Sequence, residues 1–291
     1  MALDARRTPV PDLDPITLEV YWNRLITIMD EVDLAVVRTA LSTIIAEARD
    51  FAVMLMDARA VGLAQSVLSL AHFTAMIPRC ARNLLEAFPP ETLEDGDVLF
   101  TNDPWLASGH LPDYNVVKPV FHNGRLIAYI GFAGHVADVG GTITYFGATD
   151  VYEEGLRIPP VKIYRAGKPN EDVLNLIAAN TRVPDMVLGD LRAMMAAAYV
   201  GERQLREFLD DTGLDDIQSI SRAIGTRSQR VMREAIARVP SGVYRHQITI
   251  DGFPQPAIIA ATVTVRGETL KVDFEGTSPE NYWNYATTSA S

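Results

Sequence analysis

Cysteine occurs once in the 291 residues, at Cys80. A single thiol rules out an internal disulfide and any Cys-x-x-Cys metal site. Cys80 falls within an apolar helical pattern and reads as a small packed hydrophobe in a reducing compartment. No apolar run approaches the roughly 18 residues that span a membrane. Residues 1–13 carry Arg6 and Arg7 but lack the apolar core of a secretion signal. These absences predict a cytoplasmic protein. Basic residues are in short supply as well: 26 Lys and Arg face 37 Asp and Glu, for a net charge of −11, and no local basic run offsets it. Such a surface repels phosphate backbones and anionic lipid, so neither nucleic acid nor membrane is an expected partner. Also missing are G-x-S-x-G, G-x-x-x-x-G-K-[ST] and G-x-G-x-x-G, which removes serine-esterase chemistry and nucleotide binding from this chain. Any ATP-dependent step would need another protein.

Histidine is scarce too, with five in all, and that makes one stretch informative. Two His-x-x-Asp steps, His110-Leu111-Pro112-Asp113 and His135-Val136-Ala137-Asp138, lie on either side of two apolar runs, 116–121 and 125–133. The runs are joined by His122-Asn123-Gly124, and Asn-Gly between apolar segments predicts a hairpin. Such a hairpin returns His135 beside His110 and Asp113, at one open end. Two imidazoles and a carboxylate at one point can hold a divalent metal and leave positions for water or substrate. Each step alone also fits an ordinary hydrogen bond that fixes a loop. Asp138 reads as a carboxylate that orients a liganding imidazole through its other ring nitrogen. Gly140-Gly141 then allows a sharp exit.

Around this stretch the chain reads as helices and strands in blocks. Leu18, Tyr21, Leu25, Ile28, Val32, Leu34, Val37, Leu41 and Ile44 recur at helical spacing, which predicts one long helix over 17–48 with Pro15 in its first turn. Residues 51–56 predict a buried strand, 65–88 a second helix only weakly broken at Pro78, and 97–100 a strand that leaves the sheet at Asn102-Asp103-Pro104. Residues 145–160 look irregular, as a wall or lid beside a site would. Helices are predicted over 172–180, 190–209 (entered at Asp190) and 217–237, followed by period-two strands over 243–251 and 258–274. Without regular βαβ alternation the architecture is α+β: a long N-terminal helix, a mixed sheet whose hairpin presents a metal site, a helical segment, then antiparallel strands. With 48% hydrophobic residues the chain can bury a substantial core as one domain or two. The expected division is 1–165 and 166–291.

Among the other polar candidates, Asp50 sits where the first helix gives way to a strand, and local sequence pairs it with Arg49. His72 lies on an apolar helix face and reads as a hydrogen-bonded packing residue. His122 and His246 read as exposed.

The chain resembles the hydantoinase B family, the B-type subunits of ATP-dependent hydantoinases, 5-oxoprolinases and related acetone and acetophenone carboxylases. The resemblance rests on Asp14-Pro15-Ile16-Thr17-Leu18-Glu19-Val20, Glu47-Ala48-Arg49-Asp50-Phe51, Thr101-Asn102-Asp103-Pro104 and the two His-x-x-Asp steps. It continues through Glu154-Gly155-Leu156-Arg157-Ile158-Pro159-Pro160, Gly189-Asp190-Leu191-Arg192-Ala193 and Val272-Asp273-Phe274-Glu275-Gly276-Thr277. It implies a subunit of a hetero-oligomer whose A-type partner binds ATP and phosphorylates the substrate's carbonyl oxygen. It also implies metal ligands at His110, Asp113 and His135, with zinc or manganese as the ion, and catalytic support from Asp50 and Asp138. The reaction implied is opening of a cyclic amide such as a hydantoin, 5-oxoproline or a lactam. Carboxylation of a ketone and a non-catalytic assembly role are the alternatives. Two family features are absent here: Ala107-Ser108-Gly109 stands where Gly-Gly-Thr is usual, and a second histidine expected near Leu68 is missing. Family members are longer, so 166–291 reads as truncated relative to them.

Overall fold

The computed structural model describes residues 13–142, 148, 150–251 and 256–279. Helix α1, Pro15–Thr39, starts where proline and capping chemistry place it: the Asp14 carboxylate accepts the N–H groups of Ile16 and Thr17, both at 3.0 Å. It does not run on to residue 48. The chain breaks at Ala40 and resumes as a single turn, α2, Thr43–Ala46, capped by Ser42. The break is held by Asp190, whose Oδ1 takes the N–H groups of Leu41 and Ser42 at 2.7 and 3.0 Å. Those donors would otherwise bond back along a continuous helix.

Strand β1, Phe51–Asp57, is buried along its whole length. The predicted helix from residue 65 begins later than expected. Residues Gly62–Gln65 instead form β2, antiparallel to β1, because the Asp57 carboxylate accepts the Arg59 and Val61 N–H groups and closes a tight turn between the two. Helix α3, Ala71–Ala87, follows and carries Pro78 inside it. Next come β3, Val98–Thr101, then β4, Asp113–His122, and β5, Arg125–His135. The β4–β5 connection is the expected hairpin. Asn123 and Gly124 both have positive φ (50° and 73°), as a two-residue turn matched to strand twist requires.

After α4, Val151–Glu154, come β6, Val161–Arg165, β7, Lys168–Pro169, and helix α5, Glu171–Asn180. Helix α6, Pro184–Thr212, starts at Pro184 and not at Asp190, which is buried within it. Helix α7, Gln218–Ala237, and strands β8, Gly242–Ile250, β9, Ala257–Arg266, and β10, Thr269–Asp273, complete the described chain. Part of the irregular segment predicted over 145–160 lies outside the described residues.

The architecture is α+β. The larger sheet has the order β2-β1-β5-β4-β3-β6-β7. Every pairing in it is antiparallel, which corrects the mixed sheet predicted from sequence: among the described residues no helix serves as a parallel crossover between neighbouring strands. Helix α3 covers one face, where Phe73, Ile77, Cys80 and Leu84 pack on Ala52, Met56, Val117, Tyr129 and Ala133. On the other face lie α1 and α6; a Cβ on Gly201 would collide with Val32 of α1 and Ile130 of β5. Contacts group the described chain into two compact units, one of residues up to Gly140 with Leu156–Ile224, the other of Gly141–Gly155 with residues from Gly225 on. The second contains the three-stranded antiparallel sheet β10-β9-β8. Among the described residues, no helix is long and apolar enough to cross a membrane.

Candidate metal centre

The hairpin ladder ends on two of the predicted site residues. Asp113, the first residue of β4, is paired with His135, the last of β5. Pro112 extends the connection by accepting the Val136 N–H at 2.9 Å. His110 sits in the loop leading into β4, and that loop is fixed by a residue read from sequence only as part of a turn. Asn102 is completely buried; its Nδ2 donates to the carbonyls of Leu111 (2.8 Å) and Leu156 (3.0 Å), and its Oδ1 accepts the Ile158 N–H (2.7 Å). Its cue was the Asx before Asp103-Pro104, but its long-range partners could not be read from local sequence.

The side chains converge. Asp113 Oδ1 lies 2.9 Å from His110 Nε2 and 3.3 Å from His135 Nδ1. The imidazole centroids are 4.9 Å apart with their planes tilted by 46°. Burial alone would raise the Asp113 carboxyl, but hydrogen bonds from His110 and His135 and the charges of both rings outweigh it and hold the group below the ordinary carboxylate range. The histidines are partly exposed, while the carboxylate between them is 5% exposed.

Two nitrogens and an oxygen therefore lie within 4.8 Å of one another. Ligand bonds of 2.0–2.2 Å in a tetrahedral shell separate ligand atoms by about 3.3–3.5 Å. The observed N···O spacings of 2.9 and 3.3 Å come near that, so the donor set fits a small divalent ion in type and spacing. Loading would replace the ring protons that now bond Asp113.

The other predicted residues are placed differently. Asp50 precedes β1, its N–H bonded to the Ile44 carbonyl at 3.0 Å and its own carbonyl accepting the His135 N–H at 2.9 Å. Its backbone is thus locked beside the cluster. Its expected partner Arg49 points elsewhere, with the guanidinium paired to Asp33. The Asp138 carboxylate accepts from the Arg182 side chain (2.7 Å), the Arg182 backbone N–H and the Gly140 N–H (3.2 Å), so it anchors the loop after His135 and orients neither imidazole through these bonds.

Two histidine readings need correction. His72 is exposed in the first turn of α3, its ring lying against Phe73, because the helix starts only at Ala71 and leaves that turn open. His122 is half-buried at the end of β4, 3.6 Å from Asp210. His246 is exposed on β8, and Cys80 is packed, with burial pushing its thiol up to about 12.

Residues 14–291 match the model of the hydantoinase B/oxoprolinase family. The chain belongs to that family. It is 33% identical over 286 residues to the putative B-type D-/L-hydantoinase subunit of Pseudomonas sp. (strain NS671), an alignment covering 94% of this chain and 48% of that protein. The crystal structure of the ATP-dependent caprolactamase from Pseudomonas jessenii superimposes with a TM-score of 0.83 at 31% identity, covering 94% of this chain and 48% of that one. The acetophenone carboxylase delta subunit of Aromatoleum aromaticum is 28% identical over 276 residues, 92% of this chain and 40% of that subunit. The chain thus spans about half the length of the first two relatives, or less for the third.

Proposed function

We propose that this hydantoinase B family chain works as the B-type subunit of an ATP-dependent amidohydrolase that opens a cyclic amide. The convergence of His110, Asp113 and His135 at the open end of one hairpin carries the reading. The similarity to a B-type hydantoinase subunit and to a caprolactamase supports the substrate class.

A ring amide resists attack because its carbonyl is resonance-stabilised. Phosphorylation of the carbonyl oxygen by an A-type partner with an ATP site makes the carbon electrophilic. Water then adds there, and the tetrahedral adduct collapses with cleavage of the ring C–N bond as a proton reaches the leaving nitrogen. The acyl phosphate that results is hydrolysed by a second water to a carboxylate and inorganic phosphate. When bound, a divalent ion, zinc or manganese, supplies the Lewis acidity that brings a water's pKa toward neutrality. This chain's own groups do the holding: His110 and His135 offer nitrogens, and Asp113 offers a carboxylate kept ionised by its surroundings. Asp50, fixed beside His135, orients water and accepts its proton. Asp138 acts at one remove, by holding the loop that leaves His135.

The likeness to an acetophenone carboxylase delta subunit favours ketone carboxylation as the second reading, with the same residues at an enolate. Mixing the chain with its A-type partner, ATP and either a lactam or a ketone plus bicarbonate separates the two. Ring opening of the lactam is expected; product from the ketone alone would overturn the hydrolase reading. A metal-free complex with full activity would instead leave this chain a non-catalytic assembly role.

A further inference from the structure

The turn that delivers Asp50 to His135 is built on an arginine in an unfavourable conformation. Arg49 has φ of 54°, in the left-handed region where glycine or asparagine is the usual occupant. The Phe51 N–H bonds back to the Arg49 carbonyl at 2.8 Å, so the reversal is tight. Glycine would make the same turn without strain. The arginine side chain is what glycine would lack, and it is engaged: its guanidinium pairs with Asp33 of α1, which is 2% exposed, and lies 5.8 Å from the Phe51 ring centroid. Among the described residues Asp33 pairs with no other cation. The pair therefore joins the buried face of α1 to the residue immediately before Asp50. From Asp50 one backbone bond reaches His135.

We propose that Asp33 and Arg49 form a positioning pair for the metal centre: by holding residue 49 in its left-handed turn they fix the Asp50 carboxylate and the carbonyl to which the His135 backbone is bonded. The inference rests on the reading of His110, Asp113 and His135 as metal ligands. Neither Asp33 nor Arg49 reaches the ligand atoms, so both act through residue 50. A pair that served stability alone would alter unfolding and leave metal affinity untouched.

Zinc affinity of the full chain, measured by competition with a chromophoric chelator, tests this alongside thermal unfolding of the metal-free forms. Arg49→Gly relieves the backbone and removes the guanidinium; it should weaken zinc binding by about tenfold, the lower end of the effect of losing an outer support. Asp33→Asn, which removes the other partner at nearly constant volume, should do the same. Arg49→Lys keeps the charge and should recover most of the affinity. Should Arg49→Gly fail to fold, the Asp33→Asn and Arg49→Lys proteins carry the test. If Arg49→Gly and Asp33→Asn bind zinc like the wild type while His110→Ala has lost it, the positioning role is wrong and the site stands. If His110→Ala binds zinc like the wild type, the site reading falls, and this inference falls with it.

Discussion

At the scale of single residues, one oxygen organises the candidate centre. Asp113 Oδ1 accepts from both imidazoles, so each histidine is preoriented toward a common point before any ion arrives. Removing either His110 or His135 leaves two protein ligands of three, and we expect His110→Ala and His135→Ala to lose zinc binding by about 100-fold or more. Both rings are partly exposed at the end of a hairpin, so the melting temperature of the metal-free protein should hardly move. Equilibrium dialysis with metal analysis checks the first outcome, and a thermal melt the second. His72→Ala, on an exposed first turn, should change neither. A different residue contributes to the pH dependence of stability in acid. Burial would raise the Asp97 carboxyl, but it is overcome by Lys162 Nζ at 2.6 Å and by the N–H groups of Glu94 and Ala166, which hold the group below its ordinary value. Its stabilising effect is complete above the unfolded pKa of about 3.9 and disappears as pH falls through the lower, folded value. Asp97→Asn should therefore cost about 2–3 kcal/mol near neutral pH, as expected for losing hydrogen bonds to a charged group. The difference from wild type should shrink as pH falls below about 4 in urea melts taken along a pH series. A gap that stayed constant down to strong acid would contradict the assignment.

At the scale of elements, what sequence revealed and what it hid have a common cause. The β4–β5 hairpin was legible because its cues are local: Asn123-Gly124 sits between two apolar runs, although the final pairing of Asp113 with His135 also needs a one-residue register shift between Val120 and Phe121. For the same reason the three convergent residues could be singled out before the fold was known. Where the deciding group comes from far along the chain, local periodicity misled. The apolar spacing continues past Thr39, yet α1 ends there because Asp190 supplies acceptors from α6. Gly62–Gln65 carries no strand signature of its own and is a strand because β1 lies beside it. Asn102 was hidden in the same way, since its partners are Leu111, Leu156 and Ile158. Asp190→Ala should test the long-range break. It strands the buried Ser42 N–H and deprives the part-buried Leu41 N–H of its acceptor, which should cost about 1–3 kcal/mol. Amide exchange should speed up at residues 41–46, across the break and α2, before α1 is affected. Unchanged stability would mean that the break is set locally after all.

At the scale of the whole molecule, the two compact units let metal binding be located without reference to catalysis. His110, Asp113 and His135 all belong to the unit of residues up to Gly140 with Leu156–Ile224, while β8, β9 and β10 belong to the other. An ion that binds the folded site and not the unfolded chain stabilises by mass action, about 2.7 kcal/mol at a free concentration 100 times Kd. That gain acts on the structure whose opening destroys the site. Pairing of β4 with β5 holds Asp113 against His135, and β1 is in register with β5 through Phe51 and Gly134. Zinc should therefore slow amide exchange along β1, β4 and β5 by up to about 100-fold where exchange proceeds through that opening, since 2.7 kcal/mol is nearly two factors of ten in an equilibrium constant. The strands β8 to β10 report on their own unit, so their protection should follow zinc only as far as the units unfold together. Chelation should reverse the change, and His110→Ala should abolish it. Zinc-dependent protection confined to β8, β9 and β10, and unaffected by His110→Ala, would put the ion elsewhere in the chain and remove the physical basis for assigning the chemistry to the hairpin.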